Sequence, residues 1–373
     1  GKLMKKIFTL VAAALCSMQM MAKDYTCPLV VNMMGFDMPV GDIQVNVDEQ
    51  GEGKYTMSLL NFKMSDDMPV GNIVIKDVEA TKCGNVTMLN AAKDIQITAG
   101  DDKSLDWMGP NLGNVNILLK GELKGDKFNA YLNIPLAGSM IVGVKLGKNC
   151  NEMGQLPNAG FENFHEASYS NAKSQEPNGW HSFMSSTGSM ASMVSAAVHT
   201  YESAEVRENA AEDNKKCVKI VSTPVKFMGM VMASANGTIT TGRLKAGDMN
   251  ASSKDNCSFL DFSSTDVDAN GDPFYAVLNN KPDAMKVWVK FKAGDGNKNP
   301  KATISALLTN GNMVQDPEDD KYAANIIGRA NNSSIESKDE WQEITIPFTY
   351  DNKNEMPKAA LVTMSTCAVP SGG

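Results

Sequence analysis

Residues Leu156–His181 read LPNAGFENFHEASYSNAKSQEPNGWH, and the organisation of the whole chain turns on them. Before this stretch, short segments alternate apolar with polar residues; after it, a second series of such segments begins. Its most distinctive lettering is Asn158-Ala-Gly-Phe-Glu162, followed by Pro177-Asn-Gly-Trp-His181. We read it as the opening strand of a β-sandwich. A period of two, punctuated by turn residues, is the pattern of strands buried on one face.

Working back toward the start, Ile43, Val45 and Val47 share one face of a strand. Tyr55, Met57 and Leu59 alternate, and then Leu60, Phe62 and Met64 continue in the opposite phase, which predicts a bulge or bend near Leu59. Val115, Ile117 and Leu119 form another face, as do Phe128, Ala130, Leu132 and Ile134, with Gly125-Asp126 as the hairpin turn between them. About eight or nine short strands are expected over 23–148, enough for a small barrel or sandwich. Met38-Pro-Val-Gly-Asp-Ile43 recurs as Met68-Pro-Val-Gly-Asn-Ile73, which we read as two equivalent turn-to-strand corners. Gly147–Gln155 is polar and lacks alternation, so 149–155 serves as a linker.

Working forward, residues 156–373 should form a second all-β domain. Met285, Val287, Val289 and Phe291 face one way while Lys286, Trp288, Lys290 and Lys292 face the other. Ala302, Ile304, Ala306 and Leu308 mark the next strand, and Ile344, Ile346 and Phe348 another. Val225–Ala233 is apolar at both phases, the mark of a central strand covered on both sides. At 373 residues the chain suits two domains.

Residues 4–22 read MKKIFTLVAAALCSMQMMA, with a basic start, an apolar core and a small residue at Ala22. Residues 1–22 are therefore expected to be a secretory signal peptide with a short leading extension, and the protein to be exported to the periplasm, the outer-membrane surface or the medium. Lipid attachment at Cys16 is the lesser reading, because Ala13-Ala14-Leu15 fits a lipoprotein signal poorly. No other apolar stretch approaches the roughly 18 residues of a spanning helix. Net charge is −8 with no basic run, which argues against nucleic acid as a partner. Six cysteines follow the leader, and their spacing selects neither bridges nor isolated thiols. They form no CxxC pairs of the kind that bind zinc.

The progression GDIQV, GKYTMSLLNF, VGNIVI and LKGELKGDKFNAYLNI resembles the calycin-like β-barrel domain of exported proteins from Bacteroides-type bacteria. That resemblance implies a lipocalin-like barrel over 23–148, which either holds a small apolar ligand or fills its interior with side chains; we expect the filled core. The LPNAGFE start, Pro-Asn-Gly-Trp180, GTITTGR at Gly237–Arg243, the VWVKFK strand and WQEITIPF at Trp341–Phe348 together resemble a second family, named "putative carbohydrate metabolism domain". It implies a galactose-binding-like jelly roll over 156–373 and a carbohydrate partner. Relatives of that family end in a further acidic strand, so a closing strand is expected to be missing here.

Sugar rings stack on aromatic faces. Trp288 lies on the lysine face of its strand and is the leading glycan-binding candidate, followed by Trp180, Trp341, Tyr275 and Arg243. Burial is the expected role of Trp180. Asp266, Asp268, Asn270 and Asp272 space their oxygen groups like the first half of a calcium loop, although Val277 stands where the bidentate Glu belongs. A plain polar turn is favoured there over calcium. The three histidines, His165, His181 and His199, include two that flank the opening stretch near Glu162 and Glu166. No nucleophile, metal motif or cofactor loop stands out. The reading is a non-catalytic, exported glycan-binding or glycan-utilisation protein. A glycoside hydrolase with two carboxylates converging in one cleft is the first alternative, and a structural or adhesive surface component the second.

Overall fold

The structure, a computed structural model, describes residues 22–135, 140–262, 265–351 and 354–373. The expected leader lies outside the described residues apart from Ala22. The chain divides into two compact units, with the division between Met153 and Gly154.

In the first unit eight antiparallel strands close into a barrel. They are β1 (Ala22–Met33), β2 (Phe36–Gly51), β3 (Lys54–Ser65), β4 (Met68–Cys83), β5 (Val86–Gln96), β6 (Asn114–Lys124), β7 (Lys127–Pro135) and β8 (Ile141–Leu146). Closure comes from β1, which pairs with β2 along its length and with β8 from Leu29↔Leu146 to Met33↔Val142. A closed barrel has no free edge to template aggregation. Alternation fills the interior: Tyr25, Cys27, Leu29 and Val31 of β1 point inward beside Val45, Met57, Ile75, Ile117 and Ala130.

The phase slip near Leu59 is a real bulge, for the β3–β4 register shifts between Leu59 and Phe62, and Asn61 has φ 53°. Both copies of the Met-Pro-Val-Gly motif follow a turn at the start of a strand, and each also forms a bulge. The β1–β2 register skips Val40 between Gly41 and Pro39, and the β3–β4 register skips Val70 between Gly71 and Pro69. Gly41 and Gly71 stand at φ 119° and 127°, a conformation that L-residues rarely adopt. At Gly71 the backbone of Thr98 also comes so close that a Cβ would lie 2.1 Å from its carbonyl oxygen.

The second unit is all-β as well, apart from short helical turns. Its main sheet runs β15 (Thr238–Thr240), β25 (Ala359–Ser365), β20 (Lys301–Thr309), β22 (Ile326–Glu336) and β24 (Thr349–Tyr350), with β18 (Ala276–Val277) also paired to β25. Ile304 and Ala306 of β20 and Val362 of β25 enter a core with Met285 of β19 (Ala284–Val289) and Ile346 of β23 (Gln342–Pro347). The β19–β23 ribbon thus packs its apolar face on the main sheet. β16 (Arg243–Ala246), β17 (Asn256–Phe259) and β21 (Gln315–Asp316) form a small sheet, and β11 (Thr200–Ser203) pairs with β12 (Cys217–Ile220). Among the described residues one α-helix, α1, covers Ala191–Val194.

Two expectations change. Leu156–His181 is not a single opening strand: Ser170, at φ 53°, turns it into a hairpin of β9 (Phe164–Tyr169) and β10 (Ala172–Pro177). Its ends serve the core, where Leu156 and Phe161 pack with Trp180. His181 then exchanges two backbone hydrogen bonds with Thr240 of β15, at 2.8 and 3.0 Å. Val225–Ala233 is likewise no central strand. Met228 and Gly229, both at positive φ, fold it into the β13 (Thr223–Phe227) and β14 (Met230–Ala235) hairpin. Its apolar residues at both phases reflect exposure, not double burial: Met228 is 85% and Met230 63% exposed. Cys27, Cys150, Cys217, Cys257 and Cys367 are free thiols. Burial pushes the Cys27 and Cys257 thiols up to about 11, so both stay protonated near neutrality.

Gly71→Ala should destabilise the barrel by roughly 1–3 kcal/mol through strain and collision with Thr98. Gly41→Ala meets open space and should cost less. Urea unfolding of the two variants checks the order, and equal losses would refute the contact argument.

Candidate functional site

The face of the main sheet turned away from the core carries Thr303, Ser305, Thr363 and Ser365 at alternate positions of β20 and β25, next to the buried Leu307 and Leu361. This face floors a cleft of about 690 Å³, to which β22 adds Arg329, Asn331 and Ser333. One wall is apolar and rich in methionine: Met190 and Met193 around α1, Met232 of β14, and Met249. Cavities of this size, apolar in part with clustered polar groups, suit a small ligand.

Asp316, at the end of β21, and Glu318 both line the cleft. Ser305 Oγ donates to Asp316 Oδ2. Burial raises the Asp316 carboxyl above its ordinary pKa, and the charge of Glu318 raises it further, against the opposing pull of Ser305. Glu318 lies in a different environment. Arg329 donates to both of its oxygens in a bidentate pair, Nε to Oε1 at 2.7 Å and Nη2 to Oε2 at 2.8 Å. The same guanidinium donates to Asp351 through Nη1. One cleft therefore holds a carboxyl whose pKa burial raises and a second carboxyl paired bidentately with a guanidinium. The first can donate a hydrogen bond to a ligand oxygen; the second has both oxygens engaged by Arg329.

None of the aromatic candidates lines this cleft, and neither does Arg243. Trp180 is 1% exposed, its Nε1 donates to Pro157 O at 2.8 Å, and its ring meets Phe161 edge-on at 5.2 Å. It is a core residue with no face for a sugar. Trp288 is 39% exposed, and the Arg207 guanidinium stacks over it at 4.7 Å from the ring centre. Trp341 is half-buried just before β23, and Tyr275 is half-buried against Phe262 at 4.9 Å. Arg243 donates from Nε to Ser185 O, pairs with Asp266 at 3.2 Å and lies over Phe274. The cleft residues went unread because they are common Ser, Thr and Asn. Their signal was present, as the polar positions Thr303 and Ser305 on either side of Ile304.

The Asp266–Asp272 loop is wound by its own hydrogen bonds. Asp268 Oδ1 accepts the Asn270 and Asp272 amides at 2.9 and 2.8 Å. Asp272 Oδ2 accepts the Asn270 side-chain amide at 2.9 Å and Gly179 N at 2.8 Å, which ties the loop to the Asn178-Gly179-Trp180 corner. Asp266 is turned outward to Arg243. The loop places Asp268 beside His181 and His165.

Residues 21–146 match the family of the calycin-like β-barrel domain, and the first unit is such a barrel. No curated protein matches the chain. A protein from Bacteroides vulgatus described as a "putative glycoside hydrolase" aligns in structure with a TM-score of 0.36 and 15% identity, over 56% of this chain and 87% of its own. A second, so described from Bacteroides thetaiotaomicron, aligns with a TM-score of 0.34 and 12% identity, over 90% of this chain and 76% of its own. Likeness at this level assigns neither activity nor substrate.

The Asp316 environment makes a pH prediction. A carboxyl whose folded-state pKa is raised stabilises the fold most at low pH, and that stability is lost as pH rises from the unfolded value through the folded one. Asp316→Asn keeps the neutral form at every pH. Its melting temperature should exceed that of the parent at pH 7 and converge with it at pH 4. A variant less stable at pH 7 would show that the ionised carboxylate is the native form.

Proposed function

We propose that the second unit is a glycan-binding module of an exported protein, and that its ligand lies in the cleft on the outer face of the main sheet. One observation carries this reading: a rigid sheet presents Thr303, Ser305, Asn331, Ser333, Thr363 and Ser365 to one cavity beside a methionine-rich wall. Hydroxyl and amide groups in register can exchange hydrogen bonds with the hydroxyls of a sugar, while the methionine wall accepts its apolar C–H face. The resemblance of residues 156–367 to a carbohydrate-associated jelly roll points the same way. In this reading the barrel is an accessory domain with a filled interior.

Asp316 and Glu318 in one cleft keep glycoside hydrolysis as a second reading, since that chemistry uses two carboxyl groups about one sugar. The bidentate clamp of Arg329 on Glu318 favours binding over catalysis, because it occupies both oxygens that would attack or activate water.

The test is a glycan array followed by calorimetry on the hits. Asn331→Ala removes one cleft amide and should weaken binding about tenfold, equivalent to roughly 1.4 kcal/mol. Trp288→Ala should leave binding intact. The reverse pattern would move the site to the Trp288 face, and reducing sugar released from the array hits, lost in Asp316→Asn, would establish the hydrolase.

A further inference from the structure

Among the described residues of the second unit six buried side-chain atoms have no hydrogen-bond partner, and four of these are His165 Nε2, Glu176 Oε2, His181 Nε2 and Asp268 Oδ2. These four lie together. Asp268 Oδ2 is 3.2 Å from His181 Nε2 and 3.5 Å from His165 Nε2, and His165 Nε2 is 3.7 Å from Glu176 Oε2. The His181 and Glu176 side chains have no exposed surface, and Asp268 and His165 retain 2% and 10%. Leaving polar groups buried without partners costs about 1–3 kcal/mol each, more when charged. Four in one place need a common partner.

We propose that His165, His181 and Asp268 are ligands of a structural divalent transition-metal site of the zinc type, with Glu176 beside them as the fourth donor. Each donor has its other atom held by the protein. His181 Nδ1 lies 2.8 Å from Gly242 O, which can only accept, so the neutral ring carries its proton on Nδ1 and presents the Nε2 lone pair inward. His165 Nδ1 makes the matching contact with Asn178 Oδ1 at 3.0 Å. Glu176 Oε1 accepts Ser182 N at 2.8 Å and Ser182 Oγ. Asp268 Oδ1 accepts the two loop amides, leaving Oδ2 for the metal. Outer partners of this kind fix the tautomer and aim of metal ligands.

Bonds of about 2.0–2.1 Å at tetrahedral angles put ligand atoms roughly 3.3 Å apart, and three neighbouring donor pairs, His181–Asp268, His165–Asp268 and His165–Glu176, stand at 3.2, 3.5 and 3.7 Å. An Asp272 carboxylate oxygen lies within 4.8 Å of the His165 and Asp268 donors and offers a further position. Two imidazole nitrogens argue for zinc rather than calcium, which takes six to eight oxygens. With so little exposure the site is closed, as structural sites are. It braces the β9–β10 hairpin and the His181 segment to the Asp266–Asp272 loop. Calcium, the lesser reading of this loop's spacing, gives way in this proposal to a different ion on a different donor set that shares Asp268.

The test strips the full chain with EDTA, dialyses it against zinc and counts bound metal by mass spectrometry. One equivalent per chain is expected, with a higher melting temperature, and cobalt in its place should give the visible absorption of a low-symmetry tetrahedral ion. Asp268→Asn and His181→Gln should each lower zinc affinity by at least roughly 10–100-fold, the loss seen when even an outer partner is removed. His199→Gln, which alters a buried histidine whose Nδ1 bonds Val221 O, should keep it. Should Asp268→Asn fail to fold, Glu176→Gln and the cobalt spectrum of the parent decide. Absence of bound zinc with an unchanged melting temperature would overturn the site, leaving imidazolium–carboxylate pairs in its place. So would affinity retained in both ligand variants, or preferential binding of calcium.

Discussion

The second unit depends on the period of two along β20 and β25. Ile304, Ala306 and Leu308 face inward and are at most 4% exposed, so the backbone must turn Thr303 and Ser305 to the opposite side. A slip of one residue would put a threonine and a serine into the core and expose the isoleucine and leucine, each worth roughly 1.5–3 kcal/mol of burial. Packing against β19 and β23 therefore fixes the register, and the register presents the floor of the cleft. The cleft on the outer face rests on hydrophobic burial on the inner one.

The barrel uses the same alternation with closure added. Once β1 pairs with both β2 and β8, each inward residue is surrounded, and the curvature is taken up at bulges. The repeated Met-Pro-Val-Gly motif places two of these bulges on β2 and β4, with proline and glycine supplying backbone that the regular ladder does not allow. Among the described residues no helix is long and apolar enough to cross a membrane.

Much of this was legible in the letters. Alternation gave the inward faces of the barrel, the phase slip at Leu59, and the strands at Ala284–Val289 and Lys301–Thr309. The failures share a cause: local pattern does not reveal what covers a residue. Val225–Ala233 looks doubly buried, yet Met228 takes a left-handed conformation for which methionine gives no warning. The histidine–carboxylate cluster draws three members from the opening stretch and the fourth from a distant loop, so no spacing rule could assemble it. The cleft residues are ordinary polar types whose meaning comes only from the strand that aligns them.

The cleft is the central claim, and hydrogen–deuterium exchange with and without a binding oligosaccharide addresses it most directly. Amides of β20, β22 and β25, together with the Met249 loop and the β13–β14 hairpin, should gain protection when the ligand fills the cavity between them. Protection confined to β19 and the Arg207 segment, with the main sheet unchanged, would contradict the account and place the ligand on the Trp288 face.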